Sequence, residues 1–254
     1  AGHLDIVKYL VENGAEVKAK DKYSRNALQL AARTGHVNIV KYLVENGAKV
    51  NAKVKWSRSA LELAAMDGHI DIVKYLLENG VEVSAKDEWS TSALQFAVAK
   101  GHIDIVKYLV ENGAEVNAKN KWSASALQLA AMKGHIDIVK YLVENGVEVS
   151  AKDEWSARAL QLAAMKGHID IVKYLVENGV EVNAKDESST CALQLAATKG
   201  HVDIVKYLVK NGAEVNAKNK WSRSALHLAA MYGDVSIVKY LVENGAEVNA
   251  MDEL

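Results

Sequence analysis

Glycine returns in this chain on a fixed period. Eight glycines stand at positions 2, 35, 68, 101, 134, 167, 200 and 233, and eight at 14, 47, 80, 113, 146, 179, 212 and 245; together the two series hold all 16. Both step by 33 residues. Self-similarity at such a period is the signature of stacked supersecondary units, each burying an apolar face on its neighbours. A length of 254 residues would otherwise suggest one or two globular domains. The period replaces that expectation with a single array over 1–254: a half unit at 1–20, full units at 21–53, 54–86, 87–119, 120–152, 153–185, 186–218 and 219–251, and a stub at 252–254.

The unit at 120–152, NKWSASALQLAAMKGHIDIVKYLVENGVEVSAK, shows how each one folds. Ala126, Leu127, Leu129, Ala130, Ala131 and Met132 form a short alanine-rich helix that ends at Gly134, its small side chains allowing close approach by the next unit. Ile136, Ile138, Val139, Tyr141, Leu142 and Val143 recur at spacings of three and four, which marks a second helix with a wide apolar face. Asp137 suits the positive end of its dipole. Asn145-Gly146 ends it, since glycine takes the left-handed conformation without a Cβ penalty. The alternating, polar-tipped VEVSAKDEWS that follows reads as a protruding hairpin. The eight Tyr–Leu pairs, from Tyr9-Leu10 to Tyr240-Leu241, read as core.

Helix, helix and hairpin at 33 residues resembles the ankyrin repeat family, and the resemblance covers the whole chain. Its pattern is matched by Asp87, Ala93-Leu94, Gly101-His102, Val106, Leu109 and Gly113-Ala114-Glu115-Val116-Asn117-Ala118, and the match repeats in register through seven units. The fold implied is an all-α solenoid of helix-helix-hairpin repeats. There are departures. The P-L-H of the family's T-P-L-H has become Ala-Leu-Gln in most units, after Ser in Ser92-Ala-Leu-Gln and Ser125-Ala-Leu-Gln, its His surviving only as His227, and the chain has no Pro. The hairpin glycine is Ser at 24, 57, 90, 123, 156, 189 and 222. Serine tolerates positive φ poorly, so a different turn is expected. Asn26, Ser59, Ser92, Ser125 and Ser224 stand where a side chain caps the first helix. Arg158 and Cys191 occupy that position in the other two units, and the helices starting there should be the least protected.

Positions that differ between units cluster in the hairpins and at the end of the first helix. The resemblance implies that these form the recognition surface, a concave strip of hairpin tips and first helices. Its candidates are Tyr23, Trp56, Trp89, Trp122, Trp155 and Trp221 on the hairpins, with Arg25, Arg58 and Arg223 beside them. Met66, Met132, Met165, Met231 and Tyr232 lie at the ends of the first helices. Aromatic side chains and Met are enriched where proteins meet. The function expected is a non-enzymatic scaffold binding a protein partner through this strip. Two alternatives stand beside it. The Trp row can pack within the molecule, each ring on the next hairpin; or the chain can be a structural protein that self-associates into larger assemblies, through that row or through ends that lack polar capping repeats.

Other chemistries find little support. Seven His follow Gly, one per unit and too far apart to share a metal, so a structural role is expected. Cys191 has no His or acid in a catalytic arrangement. The carboxylates recur once per unit without a distinct pair, and there is no phosphate loop, so no cofactor is expected. Net charge is −1, and Glu88, Glu154 and Glu187 interrupt the basic hairpins, which disfavours nucleic acid. No leader or membrane span is visible, and a single Cys suits a reducing, cytoplasmic setting. The terminal MDEL resembles an endoplasmic-reticulum retention signal, but the repeat explains it better.

Overall fold

The computed structural model describes residues 2–51, 58–149 and 154–251. Among them fifteen helices follow the repeat. A second helix opens the chain, α1 (Leu4–Glu12). Pairs follow: α2 (Ala27–Arg33) and α3 (Val37–Glu45), α4 (Ala60–Asp67) and α5 (Ile70–Glu78), α6 (Ala93–Lys100) and α7 (Ile103–Glu111), α8 (Ala126–Lys133) and α9 (Ile136–Glu144). The last six are α10 (Glu154–Lys166) and α11 (Ile169–Glu177), α12 (Ala192–Lys199) and α13 (Val202–Lys210), α14 (Ala225–Tyr232) and α15 (Val235–Glu243). The residues fall into two compact units, Ala1–Ala126 and Leu127–Leu254. In each, first helices pack on first helices, α2 on α4 and α4 on α6 in one, α10 on α12 and α12 on α14 in the other. Alanines make that approach possible: Ala64, Ala65, Ala97, Ala163, Ala164, Ala196 and Ala197 are completely buried.

The second helices α3, α5, α7, α9, α11 and α13 each bury an Ile, a Val and a Leu, as α7 buries Ile105, Val106 and Leu109. Only the Leu of most Tyr–Leu pairs is core. Tyr42, Tyr75, Tyr108, Tyr141, Tyr174, Tyr207 and Tyr240 are half-buried and Tyr9 is exposed, which corrects the sequence reading. A lysine from the preceding unit covers several of these rings, Lys41 over Tyr75 and Lys74 over Tyr108, each at 5.6 Å from the centroid. That contact favours a ring lying at the surface.

Three kinds of polar stitch join one unit to the next. The third residue of α2, α6, α12 and α14 faces two ways. In α6 the Gln95 carbonyl accepts from the Ser92 N–H at 3.1 Å, while its amide donates to the Ala118 and Ala124 carbonyls of the next hairpin at 3.0 and 3.1 Å. Gln194 bridges Cys191 to the Ala217 and Arg223 carbonyls in the same way. His227 replaces the amide: its Nδ1 lies 3.3 Å from the Ser224 N and its Nε2 meets the Ala250 carbonyl at 2.9 Å.

The second stitch gives the recurrent Gly-His its reason. Nε2 of His69, His102, His168 and His201 reaches the carbonyl of Arg33, Met66, Met132 and Met165 in the preceding unit, at 3.0 to 3.3 Å. The ring lies so close to the preceding unit's glycine that a Cβ on Gly134 would sit 2.7 Å from His168 Cε1. The third uses the hairpin asparagine: Asn183 donates to the Gly212 carbonyl at 3.0 Å and accepts from the Glu214 N–H at 2.8 Å.

The hairpins hold less β-structure than their alternation suggests, isolated bridges pairing Lys20 with Asn26 and Lys86 with Ser92. The family turn survives the loss of its glycine. Ser24, Ser90, Ser123, Ser189 and Ser222 all adopt φ of 57 to 61°. The acid or amide three residues earlier compensates. Asp87 accepts from the Trp89 and Thr91 N–H at 2.9 and 2.7 Å, its carbonyl accepts from the Ser90 N–H, and the Thr91 carbonyl accepts from its N–H. Four bonds converging on one residue hold the serine in the left-handed region.

One unit departs from the rest. In the described part of 153–185 the helix begins at Glu154, running through the positions that form a hairpin elsewhere. Ser156 is completely buried and its hydroxyl donates to the Glu148 carbonyl at 3.1 Å. Arg158 cannot cap, so nothing stops the helix from extending backwards through Ala157. The poor cap lengthens this helix where fraying was expected. At Cys191 the helix starts in register, with extended φ of −104°, and the thiol is buried, which pushes its pKa up.

Candidate functional site

The candidate residues are displayed by hairpins and by the ends of first helices. In the unit Ala1–Ala126, Tyr23 is 61% exposed, its ring flanked by Lys22 and Arg25 at 4.9 Å each. Trp122 is 69% exposed, and a ring so accessible is not packed on a neighbouring hairpin. Trp89 is half-buried, its carbonyl accepting from the Lys121 N–H at 2.8 Å. The hairpins are tied through their backbones while the aromatic side chains differ in exposure. Trp56 lies outside the described residues.

A groove encloses about 180 Å³ between α2, α4 and two hairpins, lined by Arg25, Gln29, Leu30, Arg33, Arg58, Leu63 and Trp89. Leu30 is 38% exposed and forms an apolar floor with Leu63. Around it stand three guanidiniums. Arg25 makes two bonds to Asp21 Oδ2, at 2.7 and 2.8 Å, which hold that carboxyl below its ordinary range. Arg33 approaches Asp67 at 3.9 Å. Arg58 lies over the Phe96 ring at 4.6 Å, and its buried Nε has no hydrogen-bond partner.

Three of the predicted residues, Arg25, Arg58 and Trp89, therefore meet in one groove. Arg33, Leu30 and Leu63 join them. Arg33 was legible as the one basic residue at a position where other units place Met, Ala or Thr. Both leucines read as core in an apolar block; Leu63 is buried as expected, while Leu30 is exposed, because periodicity does not tell a leucine on the packed face from one at its rim.

In the unit Leu127–Leu254 the candidates are spread differently. Trp221 is 46% exposed under Lys220, 4.6 Å from its centroid, with the half-buried Arg223 beside it. Met231 and Tyr232 are exposed by 52 and 62%. Met132 and Met165, like Met66 in the first unit, are half-buried, and their carbonyls accept from the stitching histidines. Trp155 lies in α10 and not on a hairpin tip, for the helix extension described above. Among the described residues no three His, Cys, Asp or Glu side chains gather to hold a metal, and no helix is long and apolar enough to cross a membrane.

The family profile described as "Ankyrin repeats (3 copies)" matches residues 1–54, 53–120, 94–186 and 160–252. The chain belongs to the ankyrin repeat family. Among solved structures, the crystal structure of the human ASB11 ankyrin repeat domain superposes with a TM-score of 0.79 at 28% identity, covering 88% of this chain and 99% of that one. A search of curated proteins returns no match. Ankyrin repeats generally serve as protein-protein interaction modules, and the all-α repeat fold of this chain is theirs.

Proposed function

We propose that this chain is a non-enzymatic binding module that takes a protein partner on the face built by its first helices and hairpins. The groove carries the reading. It places three guanidiniums and a tryptophan around the exposed Leu30. Arg and Trp are the residue types that dominate binding energy where a partner side chain is desolvated between them. The exposed Tyr23 and Trp122 extend the same face in that unit, while Trp221, Met231 and Tyr232 offer further contact in the other. A reducing interior suits the buried thiol of Cys191.

Site-specific photocrosslinking tests this. A crosslinker in place of Leu30 should label a discrete partner, and Arg33→Ala with Arg58→Ala should abolish that labelling. The same group in place of Lys41, on the second-helix face, should label none. Equal capture from the two positions, or capture unaffected by the two arginine substitutions, would defeat the proposal.

A further inference from the structure

The junction between the units 54–86 and 87–119 is built unlike its neighbours. At the position three residues after the cap site the other described units carry Gln29, Gln95, Gln128, Gln161, Gln194 or His227, each with a side-chain nitrogen directed at a carbonyl in the segment beyond that unit's second helix. Glu62 takes that position in α4. It keeps the inward half of the arrangement, its Oε2 accepting from the Ser59 N–H at 2.9 Å. It is only 3% exposed. An ionised carboxylate has no hydrogen for the outward half. By the 33-residue period, the carbonyls served by Gln95 correspond here to those of Ala85 and Thr91.

The surroundings sharpen the mismatch. Asp87, on the hairpin that Glu62 faces, leaves Oδ2 buried without a hydrogen-bond partner. The elements packed against α4 are α2, α5 and α6. Of these α2 ends in Arg33, α6 ends in Lys100, and α5 carries Asp71, Lys74 and Glu78; the charges that reach Glu62 are Asp87 and Arg58. We propose that Glu62 is a proton-operated stitch, joining its unit to the hairpin at Asp87–Thr91 when protonated and releasing that hairpin when ionised. Protonation makes its side chain a stand-in for glutamine: one oxygen still accepts from Ser59 while the hydroxyl donates outward. Ionisation removes the donor and sets two carboxylates against each other across the junction. Burial, reinforced by Asp87, pushes its pKa up to about 7, with the Ser59 bonds and Arg58 opposing the rise.

The sign follows from linkage. The folded chain holds this proton more tightly than the unfolded one, where the carboxyl has its ordinary value near 4.5, so stability falls as pH climbs from 4.5 to about 7 and changes no further from this group. The displacement between the two values corresponds to a loss on the order of a hundredfold in the folding equilibrium constant. Glu62→Gln makes the stitch permanent. The hairpin also presents Trp89 to the groove; resting on the binding reading above, partner affinity should fall over the same interval.

The test is urea unfolding of the full chain and of Glu62→Gln at pH 5 to 8.5. The two should be close at pH 5 and diverge on the alkaline side, the parent losing stability while the variant does not. Amide exchange at Ser90 and Thr91, corrected for its intrinsic pH dependence, should accelerate in the parent alone. Carbon-13 titration of the Glu62 carboxyl in the unaltered protein gives a readout free of any folding defect, and a midpoint near 7 is expected. Parallel unfolding curves, or a midpoint near 4.5, would overturn the stitch. Loss of crosslinking with the titration intact would instead overturn only the binding reading.

Discussion

Replacing Ser123 with glycine and, separately, Ser156 with glycine changes one repeat position in two units whose local structures differ. Ser123 sits in a hairpin at φ 58° and is exposed. A left-handed backbone costs a residue with a Cβ roughly 1–2 kcal/mol. Glycine removes that strain but gives back about 0.4–1 kcal/mol through the greater freedom of its unfolded chain. Ser123→Gly should therefore stabilise the protein by about 0.5–1 kcal/mol. Ser156 lies in the first turn of α10, buried, with its hydroxyl bonded to the Glu148 carbonyl. There glycine loses about 0.5 kcal/mol of helix propensity relative to serine, and the hydrogen bond is worth about 1 kcal/mol. The sum is a destabilisation of about 1.5 kcal/mol.

The opposite signs are the useful part. Urea unfolding of the full chain followed by far-ultraviolet circular dichroism gives the overall change. Because repeat arrays can open unit by unit, amide exchange at residues 121–133 and 154–166 shows where it falls. If Ser156→Gly stabilises as Ser123→Gly does, the backbone at 156 is left-handed and the α10 extension is refuted. Arg158→Ser probes the cause. A capping hydroxyl at 158 should end the helix there and expose the amides of Trp155 and Ser156 to exchange. Unchanged protection would mean that the missing cap does not explain the longer helix.

Further substitutions test the stitches and the weak cap. Cys191→Ser supplies the cap hydroxyl that Ser92 provides to α6, and should stabilise α12 by about 0.5–1 kcal/mol, read as slower exchange at its first amides. Gln194→Ala removes bonds to Cys191, Ala217 and Arg223 and strands buried groups on both sides, so a loss of about 2–3 kcal/mol is expected in the unfolding midpoint. Gly134→Ala combines a φ of +83° with the collision against His168, and should cost more than 2 kcal/mol. Adding His168→Ala removes the collision but not the backbone strain, so the double variant should cost less than the two single losses combined. Strict additivity would show that the ring is not what makes glycine necessary.

The sequence was most readable where one physical cause acts in every unit. Gly-His could be placed between helices from periodicity, yet the bond of His69, His102, His168 and His201 to a carbonyl 36 residues earlier is a contact between units, and spacing within one unit holds no trace of it. The serine turns were misread for a related reason. A φ preference belongs to a single residue, whereas the turn at Ser90 is held by the carboxylate and carbonyl of Asp87, and these outweigh the preference. At Arg158 the absence of a cap was correctly noticed, but its consequence depended on what precedes it: Ala157 allows the helix to grow backwards, whereas Cys191 follows the pinned turn of Asp186–Thr190 and keeps its register. The groove sits at the same limit. Arg25 and Arg58 were identified at a position that varies between repeats and Trp89 as one of a row of tryptophans, but the three belong to successive repeats, and only stacking brings them around Leu30. Residues that vary between repeats thus acquire a function from adjacency along the stack. Exchanging Arg58 with its counterpart Ala124 keeps the composition unchanged and takes one guanidinium from the groove. If binding depends on the arrangement, that exchange should weaken the crosslink formed from position 30; unaltered capture would mean that charge alone suffices.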